Sequence, residues 1–174
     1  HKGNCLAYTN MFVALARLAG LEASYQLVLT RPTWDVESGF LVRNNHINVL
    51  LDGVSSPGVN DGQLTVDFNS YTAKPATPRR RVSDAYAASM FYNNLAVEKL
   101  HLGDNQAAFA FLKRAVLTEP RNIDSWNNLG ALYSILGHPR YAQGAFETAM
   151  RVDDHNKTAM TGMAKSLRQQ GRLE

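Results

Sequence analysis

This chain of 174 residues lacks several features that mark specialised protein classes. Its single cysteine, Cys5, excludes an internal disulfide and leaves both the cytosol and an export compartment open. No apolar run approaches the roughly 18 residues of a membrane-spanning helix. Because 18 Lys and Arg face 15 Asp and Glu, the sequence does not indicate a basic domain for nucleic acid. It contains no phosphate loop, nucleotide fingerprint or paired metal-ligand motif, so we predict no cofactor.

No methionine or signal peptide precedes His1 at the start of the chain. A catalytic helix normally lies inside a domain. We therefore expect the chain to be a fragment, with residues 1–75 forming the core half of a domain whose upstream part is missing.

A helix is predicted to begin at the cysteine and to stop at Gly20. Asn4 is a natural N-cap, and a glycine is a natural C-terminal stop. A thiol in the first turn of a helix lies near unsatisfied N–H groups and the positive end of the helix dipole, and both favour the thiolate. Cys5 is therefore a candidate nucleophile, although a lone cysteine is also often a small core residue. The predicted apolar stripe comprises Leu6, Tyr8, Met11, Phe12, Leu15, Leu18 and Ala19.

Patterns with a period of two residues follow the helix and predict antiparallel strands. The predicted strands are 22–30, 45–51 and 63–69, with a short strand or the start of the next one at 40–42 and a loop over 54–62. Together they predict an α+β domain over 1–75, in which the catalytic helix packs on the sheet. Residues 76–84 read as a linker whose three arginines are a solvated charge run or a contact for an acidic partner. Ser83 or Asp84 can cap the helix that follows.

The rest of the chain, residues 85–174, repeats itself every 34 residues. This period and its pattern of small residues resemble the tetratricopeptide family, with repeats at about 89–122 and 123–156 and a partial one at 157–174. The resemblance implies an all-α array of paired helices that binds proteins or peptides. The matching pairs are Gly103 and Gly137, Ala108 and Ala142, Ala115 and Ala149, and Leu95 and Leu129.

Three short segments in residues 1–75 carry a cysteine, a histidine and an aspartate in that order. A thiolate attacks an acyl carbon, an imidazole transfers the proton, and a carboxylate fixes the imidazole tautomer. His46 and Asp67 fall on strands joined by a loop, so they can lie on one side of the sheet. The ordered set resembles the transglutaminase-like superfamily of papain-like cysteine enzymes. The resemblance implies a catalytic triad of Cys5, His46 and Asp67.

Two hypotheses follow, because the family includes members that keep the fold and lose the activity. The first is a thiol-dependent hydrolase or acyltransferase acting on amide bonds of peptides or proteins, with hydrolysis favoured because water is the default acceptor. The alternative is a non-catalytic peptide-binding scaffold with a degenerate transglutaminase-like domain. Zinc binding by Cys5, His46 and Asp67 is a further possibility, although a lone cysteine lacks the paired spacing of zinc sites.

The repeats suggest a binding groove of their own. Asn93 and Asn127 occupy the fifth position of successive first helices, where they could hydrogen-bond an extended backbone. Lys165 and Arg168 of the third copy could pair with a carboxylate. The groove is therefore a candidate site for an acidic or C-terminal peptide, the alternative being ordinary solvated polar residues. The oligomeric state stays open.

Overall fold

The computed structural model describes residues 5–29, 34–37, 40–43, 46–55, 62–68 and 77–172, with only the backbone described at Cys5 and over 34–43. The chain divides into two compact units. One comprises residues 1–33 and 44–87, and the other comprises residues 34–43 and 88–174. The segment 34–43 therefore groups with the C-terminal helices and not with the strands that flank it in sequence.

The first unit consists of a helix on an antiparallel sheet of four strands in the order β5-β4-β1-β6. This confirms the predicted helix on an antiparallel sheet, but the fold by itself does not make the unit catalytic. The short strand β6 differs from the prediction, because its residues were assigned to a linker. The elements are α1 (Cys5–Leu18), β1 (Glu22–Val28), β4 (His46–Asp52), β5 (Gln63–Val66) and β6 (Arg79–Val82).

The arginines of β6 are exposed, as a solvated charge run predicts, and they also make specific contacts. The Arg81 side chain donates a hydrogen bond to Asp52 over 2.6 Å, and this bond holds the pKa of that carboxyl below its usual value. The guanidinium of Arg80 lies over the ring of Tyr86, 5.3 Å from its centroid. Proline and arginine content hid a strand that forms through tertiary pairing with β1.

Helix α1 packs through a different stripe from the predicted one. Its buried residues are Leu6, Thr9, Val13 and Ala16, spaced by three and four residues. Of the predicted stripe, Tyr8, Met11, Leu15 and Leu18 are exposed. The buried stripe includes the small side chains of Thr9 and Ala16, which let the helix lie close to the sheet. Hydrophobicity counts undervalue such residues because they reward large side chains.

The second unit contains a two-stranded hairpin and a series of helices. Helix α2 starts in the first unit and continues into the second. The Ser83 hydroxyl accepts a hydrogen bond from Tyr86 N over 3.1 Å, so Ser83 caps α2 as predicted. The elements are β2 (Trp34–Glu37), β3 (Phe40–Arg43), α2 (Asp84–His101), α3 (Asn105–Thr118), α4 (Ile123–Ile135), α5 (Pro139–Val152) and α6 (Lys157–Gln169).

These helices follow the 34-residue period and confirm the predicted helical array. The turns after α2, α4 and α6 each place a glycine at positive φ, at Gly103, Gly137 and Gly171. The buried core between the helices is formed mainly by alanine and leucine, including Ala108, Leu112, Leu129 and Leu132. The period therefore corresponds to one helix pair, with α2 and α3 as the first and α4 and α5 as the second.

One aromatic ring fixes the spacing of three helices in this array. The Phe146 ring of α5 lies against Gly130 of α4 and Gly162 of α6, and the residue is buried. A Cβ added at Gly130 would lie 2.7 Å from Phe146 Cε1, and one added at Gly162 would lie 2.4 Å from Phe146 Cζ. The ring is held between two backbones and has no room on either side.

We expect Gly130→Ala to lower the free energy of unfolding by about 1–3 kcal/mol, because its methyl group overlaps the enclosed ring. Urea denaturation followed by circular dichroism measures this. Gly144→Ala on α5 is the matched control, since a Cβ there meets nothing within 4 Å. It should be neutral or stabilise the helix by about 0.5–1 kcal/mol. Equal losses in the two variants would contradict the packing argument.

An ion pair joins the first helix to the start of α2 within the first unit. Arg17 donates two hydrogen bonds to the Asp84 carboxylate, at 2.6 and 2.9 Å. These bonds hold the pKa of the Asp84 carboxyl below its usual value and raise the pKa of Arg17. A lowered carboxyl pKa adds stability above the unfolded-state value of about 3.9, and this is lost as pH falls through the folded value.

We therefore expect Asp84→Asn to be less stable than the unmodified chain at neutral pH and equally stable in acid, where the native carboxyl is protonated. Thermal melts from about pH 7 down to about pH 2 measure the difference, spanning the carboxyl range. Glu98→Gln, an exposed change on the same helix, is the control. A difference between Asp84→Asn and the unmodified chain that does not vary with pH would refute the assignment.

Candidate functional sites

The structure brings His46 and Asp67 of the predicted triad together. His46 is the first residue of β4, and Asp67 directly follows the last residue of β5. Because Val49 pairs with Val66, the antiparallel register continues to set Asp67 opposite Asn48, two residues from His46. His46 Nε2 and Asp67 Oδ2 are 2.6 Å apart. The two side chains are 11% and 24% exposed, so both are partly shielded from water.

This contact decides which imidazole nitrogen is available for chemistry. The Asp67 carboxylate is an acceptor, so the neutral imidazole carries its proton on Nε2, facing Asp67. Nδ1 is then left with its lone pair and can accept a proton from another group. We call His46 and Asp67 the dyad. Its geometry suits an imidazole base whose tautomer is held by a carboxylate.

The first turn of α1 lies at the level of the dyad along the sheet. Arg17 donates to the carbonyl of Ala23 near the start of β1, whereas the Thr9 hydroxyl donates to the carbonyl of Ile47 near the start of β4, over 3.4 Å. The helix therefore runs antiparallel to β1. Cys5 is four residues before Thr9, about 6 Å along a helix or about two residues along a strand. That distance sets its backbone within about one strand residue of the level of His46.

Aromatic contacts confirm that this end of α1 lies beside the end of β5. The ring centroid of Phe68, the residue after Asp67, is 5.4 Å from that of Phe12 and 6.3 Å from that of Tyr8. Helix α1 includes the backbone of Cys5, but the side chain of Cys5 lies outside the described residues. The thiol therefore remains a predicted member of the triad.

The zinc alternative also needs the Cys5 thiolate, so it stays a prediction. Among the residues whose side chains are described, one group could hold a metal ion by distance, Asp153 with Asp154 and His155. It lies in the turn between α5 and α6 and involves none of the predicted triad residues. His155 and Asp154 are almost fully exposed, and nothing around them builds a site.

The predicted groove residues have two different environments. Asn93 and Asn127 are buried, while Lys165 and Arg168 are exposed three residues apart on α6. Asn93 Oδ1 accepts a hydrogen bond over 2.9 Å from Asn128, a residue that the sequence analysis did not select. The side-chain oxygen of Asn127, Oδ1, is buried and has no hydrogen-bond partner among the described residues. The two predicted asparagines are thus not equivalent, because Asn93 is already engaged within the array.

Asn48 is the other residue that sequence reasoning missed. Its amide Nδ2 donates to Asp67 Oδ2 over 3.4 Å, so it contacts the dyad directly. A polar residue two positions from a candidate histidine in a strand lies on the same side of the sheet. This was the available signal, since Asn48 stands among apolar residues in the segment 46–51.

Comparison with known proteins identifies the repeat and gives no support for a transglutaminase-like domain. A family model described as tetratricopeptide repeat matches residues 111–144, from within α3 to within α5. No curated protein matches the chain. The chain thus contains a tetratricopeptide repeat, and the resemblance of residues 1–75 rests on their own motifs.

Solved structures show similarity over about half of the chain. "Crystal structure of MamA protein" is 21% identical, with a TM-score of 0.48 over 51% of this chain and 48% of that one. The match therefore spans about half the length of that protein. The N-terminal domain of stress-induced protein-1 (STI-1) from C. elegans is 19% identical, with a TM-score of 0.49 over 53% of this chain and 78% of that one. At these TM-scores the likeness carries no functional argument.

No helix in the described ranges combines the length and the apolar character needed to cross a bilayer.

Proposed function

We propose that the helical array binds an extended segment of a partner protein and that this is the main function of the chain. The tetratricopeptide match at residues 111–144 carries the proposal, since the repeat is a protein-binding architecture. The first unit then acts at least as a scaffold. This is the scaffold alternative of the sequence analysis.

The chemistry of the array favours an acidic segment or one that ends in a free carboxylate. Lys165 and Arg168 lie three residues apart on α6, so they share one side of the helix and are exposed. An exposed ammonium and guanidinium can both reach a single carboxylate. Asn127 Oδ1 is a buried acceptor without a partner among the described residues, and outward rotation of its side chain would let it accept from a backbone N–H of the bound segment. Asn93 supports the site indirectly, through its bond to Asn128.

A second candidate function is favoured by one contact, the 2.6 Å approach of His46 Nε2 to Asp67 Oδ2. In this proposal Cys5, His46 and Asp67 form a catalytic triad that cleaves amide bonds. The Cys5 thiol gives its proton to His46 Nδ1, and the thiolate forms a bond to the amide carbon. The C–N bond breaks as the imidazolium returns that proton to the leaving amine. Water then attacks the thioester, releasing the acid and restoring the thiol.

The two proposals are compatible, because the array can recruit a protein on which the triad acts. Each proposal can also be refuted without refuting the other. Binding by the array needs no thiolate, and a reactive thiolate needs no bound peptide.

One prediction of the binding proposal concerns Lys165 and Arg168, the cations of α6. Lys165→Ala combined with Arg168→Ala should weaken binding of an acidic peptide library with free C-termini by about tenfold or more, because two charge-assisted contacts are lost. Fluorescence polarisation of the labelled library against the full chain measures this. The matched control is Lys113→Ala combined with Arg121→Ala, which removes the same two exposed side-chain types from α3 and the α3–α4 turn. Equal binding by both double variants would contradict a carboxylate site. Equal binding by an amidated library would assign the contact to acidic side chains and exclude the C-terminal carboxylate.

The second prediction concerns the thiol. Alkylation of Cys5 by iodoacetamide should be fast and should persist well below about pH 8, because an ordinary thiol is largely protonated there. His46→Ala should slow it by removing the base, whereas His138→Ala, an exposed histidine before α5, should not. Alkylation that follows an ordinary thiol titration and ignores His46 would eliminate the triad.

A further inference from the structure

Asn48 is a buried polar residue that folding alone does not explain. It is fully buried in the middle of β4, between the apolar residues Ile47 and Val49. Its Nδ2 donates to Asp67 Oδ2, but within the described part of the chain its own Oδ1 has no hydrogen-bond partner. A buried carbonyl without a donor costs stability, and a leucine of similar shape would avoid that cost. The donor Nδ2 does have a specific contact, so a role besides packing is to be sought there.

Its contact with Asp67 indicates what that contribution is. Asp67 lies just past the last paired residue of β5, and its side chain is partly exposed. Asn48 pairs with Gln26 of β1, and the next residue, Val49, pairs with Val66 of β5. Its amide reaches the same oxygen, Oδ2, that faces His46 Nε2. Asn48 thus donates, from a buried position on β4, to the carboxylate oxygen of Asp67 that faces His46.

We propose that Asn48 is a positioning residue of the thiol site, whose amide orients the Asp67 carboxylate and thereby fixes the tautomer of His46. The inference rests on the proposed thiol function and adds a residue to it. Asn48 does not touch the reacting atoms. It acts on the imidazole only through Asp67.

Asn48→Leu tests the proposal, because it keeps the approximate shape and removes the donor. We expect the free energy of unfolding to stay the same or rise, since the orphaned oxygen is also removed. The ¹⁵N signals of the neutral His46 imidazole should change from a single Nε2–H tautomer to a mixture. The His46-dependent alkylation rate of Cys5 should fall by about tenfold, as expected for one lost hydrogen bond to a charged group.

Gln26→Leu is the matched control. Gln26 is the cross-strand partner of Asn48, is also buried, and has an unpartnered side-chain oxygen. Its substitution removes a buried amide beside Asn48 without removing the donor to Asp67. It should leave both the tautomer and the alkylation rate unchanged.

The outcomes separate this inference from the function on which it rests. If the unmodified chain shows fast, His46-dependent alkylation that Asn48→Leu leaves intact, the inference fails and the thiol site stands. If the alkylation of the unmodified chain is ordinary but Asn48→Leu still mixes the tautomers, the positioning role stands and the thiol function fails.

If Asn48→Leu does not fold, the NMR signal of the Asn48 side-chain amide is measured in the unmodified chain instead. The chemical shift of that signal should change as Asp67 is protonated, and in Asp67→Asn this change should disappear. A signal that does not respond to protonation of Asp67 would overturn the inference.

Discussion

Strand β4 is the constraint on which the first unit depends, because it pairs along both edges. Val49, which is completely buried, is paired with Tyr25 on β1 and with Val66 on β5. A shift of one residue in either register would reverse the faces of every side chain on the strand. The same pairing that buries Val49 sets His46 and Asn48 within reach of Asp67. The fold and the candidate site are therefore specified by one set of backbone hydrogen bonds.

The helical unit has a comparable constraint in the fit of Phe146 between two glycines. Because the ring contacts the backbones of α4 and α6, α5 fixes the position of a helix from each of two successive repeats. The side chains proposed to bind a partner lie on α4 and α6. A ring with no binding role thus sets the separation of the asparagine oxygen from the two cations. Such a site is preorganised, and it needs little ordering when a partner arrives.

The sequence predicts most of the architecture because its strongest signals are local and periodic. The glycines at positions 103, 137 and 171 recur because each turn needs a positive φ, and they therefore mark the helix pairs in the sequence. The order of Cys5, His46 and Asp67 likewise predicts the dyad, since two strands joined by a loop are natural neighbours. Strand β6 could not be predicted in this way, because it exists only through pairing with β1. Asn48 and Asn128 were missed for a related reason, because their hydrogen-bond partners lie 19 and 35 residues away in sequence, respectively.

The position of the three arginines at the border of the sheet has a consequence for the behaviour of the protein in solution. In the strand order of the described sheet, β6 is an outermost strand, so one row of its backbone N–H and C=O groups is not used by β1. Such a row is a template on which a strand from another molecule can add. Three adjacent guanidinium groups make that addition unfavourable, because a second copy would bring its own arginines against them. Arg79, Arg80 and Arg81 thereby protect the folded chain from edge-to-edge aggregation, a role that no ligand or substrate would reveal.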